Sequence, residues 1–246
     1  MTEEALRWVE PDWPAPARVR ALTTERSAVD PVQPYAGFNL ARHVDDDAAR
    51  VAANRRTLRS VLQLPREPSW LDQRHGIRVI DLDREPEVFH GDGSFTQRTD
   101  KVSAVLTADC APIFLTDREG NFVGLVHGGW RGIACGIVEQ AVNLLPAHPE
   151  EMLAWVGPAI GPCHFEIGPE VRAQLIAHPE DEQYFRSAGD RYLADLPGLI
   201  VARLQRAKLG YVVASRLCTV DDPARWYSYR RQGACGRMAS LIWLVD

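Results

Sequence analysis

Three apolar runs lie almost end to end between residues 102 and 128: VSAVLTA, PIFLTD and FVGLVH. Each is short for a helix and rich in Val, Ile, Leu and Phe, so each reads as a strand. REGN, between the second and third, is a hairpin signal. Strands of this kind need a covering layer, and the flanking segments supply helices for it. The expectation is one mixed α and β domain over residues 1–246, with an extended, proline-bearing segment at 1–17.

Around this centre the chain alternates. VRALTTERS is a first strand, and residues 30–47 are rich in turn formers and read as a closing loop. Asp45–Asp47 supply an N-cap for a helix over DDAARVAANRRTLRSVLQL, ended by Pro65. WLDQRHGIRVIDLD is two short strands around Gly76, while PEVFHGDGSFTQRTD is a polar loop without apolar periodicity. A helix is expected over IACGIVEQAVNLL, a strand over MLAWVGP, a short helix over GPEVRAQLIAH, and weak patterning over 179–192. Asp195 caps a helix over LPGLIVARLQRAKLG, YVVAS is a strand, WYSYRRQGACG is loop-like and RMASLIWLV is a buried closing strand.

A formal net charge of -5 gives no general attraction to nucleic acid or to an anionic membrane, so an anionic ligand must be held by local groups. The acidic N-terminus lacks the apolar core of a signal peptide, and no stretch is apolar enough to span a bilayer. Five cysteines without a CxxC pair suit free thiols. These features predict a cytoplasmic enzyme, monomeric, without nucleic-acid or membrane partners.

The chemistry collects at the ends of apolar runs. Cys110 follows VSAVLTAD, His127 ends FVGLVH, and His75 lies in WLDQRHG. Thiolate and imidazole are good zinc ligands, and three of them leave a fourth position for water or substrate. Read singly, Cys110 is equally a buried small hydrophobe, and each histidine a satisfied strand-end residue. HGGWRG adds Gly128 and Gly129, which allow close backbone approach, a helix start with unpaired N–H groups, and the guanidinium of Arg131. That turn can bind phosphate, or it can be a plain glycine turn. Arg55 and Arg56 read as solvated helix charges, and Arg230 and Arg231 as surface basics.

Together, FNLARHV, ANRRTL, WLDQRHG, GDG, LTADCAP, GLVHGGWRG, VGPAIGPCHFEIG and WYSYRRQGACGRMASLIWL resemble the YfiH-like family from about residue 36 onward. That family is also labelled laccase-domain, polyphenol oxidase or peptidoglycan editing factor, and it is similar to multifunctional purine nucleoside phosphorylases. The resemblance implies a layered α/β sandwich of the cysteine-hydrolase-like kind, with mixed sheets flanked by helices. It implies a zinc site at His75, Cys110 and His127, phosphorolysis of adenosine, inosine, guanosine and methylthioadenosine, and adenosine deamination. Arg74, Gly128 and His164-Phe165 depart from the usual residues, and none of these changes removes a ligand.

On this reading Cys110, His127, His75 and Asp109 form the catalytic group, with Asp109 able to move protons. Arg131, Arg55, Asn39, Gln73 and Gly129 form the side that meets nucleoside and phosphate. Besides a non-enzymatic, metal-stabilised binding module, two rival enzymes remain open. Copper-dependent phenol oxidation would follow from the laccase label, although the seven histidines contain no HxH pair. A metal-free hydrolase acting on peptidoglycan precursors would use Cys110 as nucleophile with His127 or His75 as base.

Overall fold

Side-chain alternation in the central strands decides the layering. The computed structural model describes residues 6–27, 32–85 and 89–246. The starts of the predicted N-terminal segment, of the 30–47 loop and of the 86–100 segment lie outside the described residues. In chain order the elements are β1 (Trp8–Val9), β2 (Val19–Thr24), α1 (Ala48–Val61), β3 (Ser69–Trp70), β4 (Val79–Asp81), β5 (Gly93–Thr96), β6 (Val102–Thr107), β7 (Ala111–Asp117), β8 (Val123–Gly128), α2 (Trp130–Ala134) and α3 (Ile137–Leu144). They continue with β9 (Met152–Val156), β10 (Glu166–Ile167), α4 (Pro169–Leu175), β11 (Phe185–Ala188), β12 (Arg191–Ala194), α5 (Leu196–Arg206), β13 (Tyr211–Ala214), α6 (Tyr229–Gln232) and β14 (Met238–Leu244).

Two sheets carry the fold: a five-stranded one ordered β1-β2-β14-β6-β3 and a six-stranded one ordered β13-β9-β7-β8-β5-β4. Successive side chains in a strand point to opposite faces. In β6 and β14, Val102, Ala104, Leu106, Ala239, Leu241 and Trp243 therefore turn outward and meet Leu58 of α1 together with Phe38 and Leu40. Val105 and Ile242, on the opposite face, meet Phe114, Leu125 and Trp155 of the other sheet. Ala111, Ile113 and Leu115 of β7 turn the other way, towards Ile133, Ile137, Val138, Leu199 and Ile200 of α2, α3 and α5. The order of layers is helix, sheet, sheet, helix. This is a mixed α/β sandwich, with antiparallel pairing at β7–β8 and β7–β9 and parallel pairing at β13–β9, β4–β5 and β3–β6.

The local signals explain most boundaries. Asp47 caps α1 by accepting the Arg50 N–H, and the helix stops before Pro65. The β7–β8 hairpin turns over Asp117–Asn121, where the Asp117 carboxylate accepts both the backbone and side-chain N–H of Asn121. Other expectations need correction. GSFT within the supposed polar loop is β5, and all four residues are buried, because Gly93 lets the strand approach Val126 closely. The helix expected over IACGIVEQAVNLL begins earlier, at Trp130, and breaks at Gly136, whose φ of 91° leaves the right-handed helical region. Residues 185–194 form a hairpin that joins β10 in a third sheet. Part of WYSYRRQ is the one-turn helix α6, capped by Ser228.

Candidate active site

The two large sheets bring their loops together at one end of the sandwich, around a cavity of about 530 Å³. Cys110 lies immediately before β7, and His127 lies in β8, paired with Pro112. His75 comes from the loop between β3 and β4. The ligating atoms of His75, Cys110 and His127 all lie within 4.8 Å of one another. Cys110 Sγ is 3.9 Å from His75 Nε2, close to the roughly 3.5 Å expected between two tetrahedral ligands with bonds of about 2.3 and 2.1 Å.

Asp92, between the glycines of GDG, organises this trio. Its carboxylate accepts the backbone N–H groups of Arg74, His75 and Gly76 at 3.1, 2.8 and 2.7 Å. These bonds hold His75 at a φ of 58°, a left-handed conformation that costs a non-glycine residue about 1–2 kcal/mol. Asp92 also pairs with His127 Nδ1 at 2.9 Å, while its carbonyl accepts the His127 N–H. With Nδ1 so engaged, Nε2 of His127 is the nitrogen left to face a ligand. Burial raises the Asp92 carboxyl, but His127 and the backbone N–H groups outweigh it and hold it below the usual carboxylate range.

Cys110 and His127 sustain each other. Burial pushes the thiol up, yet His127 first and His75 next bring it well below the ordinary thiol value. Burial pulls His127 down, but Cys110 and Asp92 push it above the ordinary imidazole value. A thiolate backed by two imidazoles and a buried carboxylate is a donor set suited to a borderline-soft divalent ion. Gly129 completes the fit. A Cβ there would lie 2.7 Å from the His75 ring, 3.3 Å from Cys110 Sγ and 3.3 Å from His127, so only glycine leaves the trio undisturbed. Gly128 is similarly constrained, since a Cβ would meet the Ala111 carbonyl at 2.7 Å.

The remaining predicted residues divide into wall and support. Arg131 and Gln73 line the cavity. The Gln73 amide also clips both backbone groups of Leu106, at 3.0 and 2.8 Å. Asp109 lines the cavity too, at a φ of 92°, with its carboxylate accepting Thr219 Oγ1 at 2.6 Å and the Arg230 N–H at 2.7 Å. Asn39 and Arg55 are not among the lining residues. Asn39 Oδ1 accepts the N–H of Ala41 and of Arg237. Arg55 is buried rather than solvated: its guanidinium donates twice to the Leu40 carbonyl and lies 3.9 Å above the Trp70 ring. Arg74 points away from the cavity to pair with Asp72.

Sequence reasoning missed several lining residues: His43, Phe165, Tyr229, Arg230 and Arg237. Arg230 is part of the wall, while Arg231 is tied to the Thr219, Val220 and Trp226 carbonyls. Desolvation, then the charges of Arg237 and Arg55, push the His43 imidazole below its ordinary value although its outer side meets solvent. The short α2 contributes little dipole, so Arg131, Arg230 and Arg237 supply the positive field. Their separation in sequence hid them, and the GDG motif was the one signal that could have exposed Asp92.

The fold is a layered α/β sandwich, and its arginine-ringed pocket carries two histidines and one cysteine that could hold a metal ion. The chain belongs to the family described as multi-copper polyphenol oxidoreductase laccase, which it matches over residues 20–245. It is 44% identical to a purine nucleoside phosphorylase of Pseudomonas aeruginosa over 97% of this chain and 99% of the relative. It is 38% identical to the purine nucleoside phosphorylase YfiH of Escherichia coli over 96% of this chain and 98% of the relative. A Neisseria meningitidis crystal structure superposes with a TM-score of 0.91 at 36% identity, covering 97% of this chain and 99% of the other. YlmD from Geobacillus stearothermophilus gives 0.85 at 27% identity, covering 98% and 99%. Among the described residues, no helix is long and apolar enough to cross a membrane.

Proposed function

We propose that this protein is a cytoplasmic, zinc-dependent purine nucleoside phosphorylase that cleaves adenosine, inosine, guanosine and methylthioadenosine and also deaminates adenosine. The observation that carries this reading is the convergence of His75, Cys110 and His127 with three cavity arginines in a space suited to a small molecule. The relatives' names supply the substrate class. Multicopper chemistry needs many imidazoles, and the seven histidines of the chain contain no HxH pair, which favours zinc over a laccase-type copper centre.

When bound, the metal supplies Lewis acidity towards a substrate oxygen or water. The chain does the rest. Arg131, exposed beside Trp130 with its guanidinium 4.4 Å above that ring, reaches for phosphate and orients it towards the ribose C1′. Arg230 and Arg237 extend the positive field as charge develops in the transition state. Their backbones are fixed by Asp109 and Asn39, so these two carboxylate and amide groups act as positioning residues. Phe165, Tyr229 and Trp130 offer flat apolar surface for a purine ring and exclude water around it. His43, biased towards its neutral form, can exchange a proton at a ring nitrogen.

Phosphate-dependent release of hypoxanthine from inosine by metal-defined protein tests this reading. Activity should fall to background in Cys110→Ala and His127→Ala, return on adding zinc to chelated wild type, and depend on phosphate. Full activity in both variants would sink the metal mechanism. Oxygen uptake with a phenol in copper-loaded protein, and no nucleoside turnover, would favour the laccase reading instead.

A further inference from the structure

A second cavity, of about 940 Å³, opens between α5, β13 and the loops at 157–164 and 215–221. Nothing in the proposed phosphorylase chemistry uses it. At its rim stand His164, Cys218 and Asp221, whose ligating atoms lie within 4.8 Å of one another. His164 Nε2 is 2.7 Å from Asp221 Oδ1. A half-exposed His–Asp pair alone is an ordinary surface contact worth little. Cys218 sets this cluster apart.

The thiol is held in place by backbone pairing on both sides: Ala159 N–H donates to the Leu217 carbonyl at 3.2 Å, and Thr219 N–H to the Ala159 carbonyl at 3.0 Å. The Gly161 N–H points at Cys218 Sγ from 3.2 Å, a donor placed to support a thiolate. Gly161 permits that approach, since a Cβ there would come within 3.1 Å of the sulfur. His164 reaches the same point because its own N–H turns back onto the Gly161 carbonyl at 3.0 Å. Two loops distant in sequence thus present imidazole, thiol and carboxylate to one small volume.

We propose that His164, Cys218 and Asp221 form a second metal site, separate from the His75–Cys110–His127 centre, which takes a borderline-soft divalent cation such as zinc. Nitrogen and sulfur donors select against magnesium and calcium. The thiol proton leaves to solvent as the metal–sulfur bond forms. Occupancy clips loop 161–164 to loop 217–221. That clip bears on the first cavity, because Phe165 follows His164 directly and Arg230 donates to the Glu166 carbonyl at 2.8 Å.

Cobalt(II) titration of chelated protein tests the site, read by sulfur-to-cobalt charge-transfer absorption and by metal stoichiometry, with circular dichroism monitoring the fold. Cys110→Ala/His127→Ala protein should bind one cobalt per chain with a thiolate band. Adding Cys218→Ala should abolish that band, His164→Ala should weaken binding by more than about tenfold, and Cys163→Ser should leave it intact. Wild type gives a reading independent of the double variant's folding: two cobalt ions per chain, falling to one in Cys218→Ala. A cobalt stoichiometry in wild type that Cys218→Ala leaves unchanged, or a thiolate band surviving Cys218→Ala in the double variant, overturns the proposal.

Discussion

The two ligand clusters use the same chemistry on different foundations. Cys110 and His127 sit at the ends of buried strands and His75 on a loop, with Asp92 fixing one histidine and the backbone of the other. His164, Cys218 and Asp221 sit on loops, with two of the three side chains substantially exposed. The first arrangement is braced by a buried carboxylate, whereas the second rests on a His–Asp pair open to solvent. Preorganisation lowers the ordering cost of binding, so the strand-end centre should bind metal more tightly and exchange it more slowly.

The largest effect should come from removing the first cluster's support. Asp92→Ala leaves three backbone N–H groups and His127 without their acceptor, and should cost about 3–5 kcal/mol in denaturant unfolding of metal-free protein. Asp221→Asn should cost no more than about 0.5 kcal/mol. Equal losses in the two variants would remove the distinction drawn here.

Next come the glycines that let the ligands close in. Gly129→Ala inserts a methyl between all three donors and should cost about 1–3 kcal/mol while lowering cobalt affinity at the first centre. Gly161→Ala presses on one sulfur alone, and should change affinity at the second centre only. Titration of both variants, resolved by stoichiometry, checks this.

Arginines separate wall from scaffold at smaller cost. Arg131→Ala should raise the KM for phosphate by about tenfold or more, from the loss of a charge-assisted hydrogen bond, with no change in Tm. Arg55→Met should lower Tm, because the Leu40 carbonyl loses both donors. Steady-state kinetics beside thermal melts distinguishes them.

The smallest effect concerns Asp181, which flanks α5 below the second cavity. Burial raises its carboxyl, but Arg206 and the N–H groups of Ala177 and His178 hold it below the usual carboxylate range. Its folded value being depressed, its contribution is full above about pH 4 and is lost as pH falls through that lower folded value. Asp181→Asn should therefore flatten the acid limb of a stability–pH curve while lowering stability at pH 7.

The strands were legible because burial on both faces leaves an apolar run that needs little context. β5 was not, because GSFT owes its burial to neighbours and not to its own apolarity. Likewise His75, Cys110 and His127 announced themselves as residue types at strand ends, while Asp92 looked like part of a turn. Arg55 misled in the other direction, since a guanidinium over a tryptophan face cannot be told from a solvated one by sequence. His43, Arg230 and Arg237 reach one cavity from three separate segments, and only the tertiary fold joins them.

The position of β14 has a consequence for how the molecule comes into being. It lies between β2 and β6, with Ser240 opposite both Thr23 and Val105. Until residues 238–244 leave the ribosome, β2 and β6 have a vacant lane between them, each with an unpaired edge and a waiting apolar face. Such long-range closure makes folding slow. A chain in which β14 has not yet paired would be sticky, and insertion of that one seven-residue strand closes the five-stranded sheet.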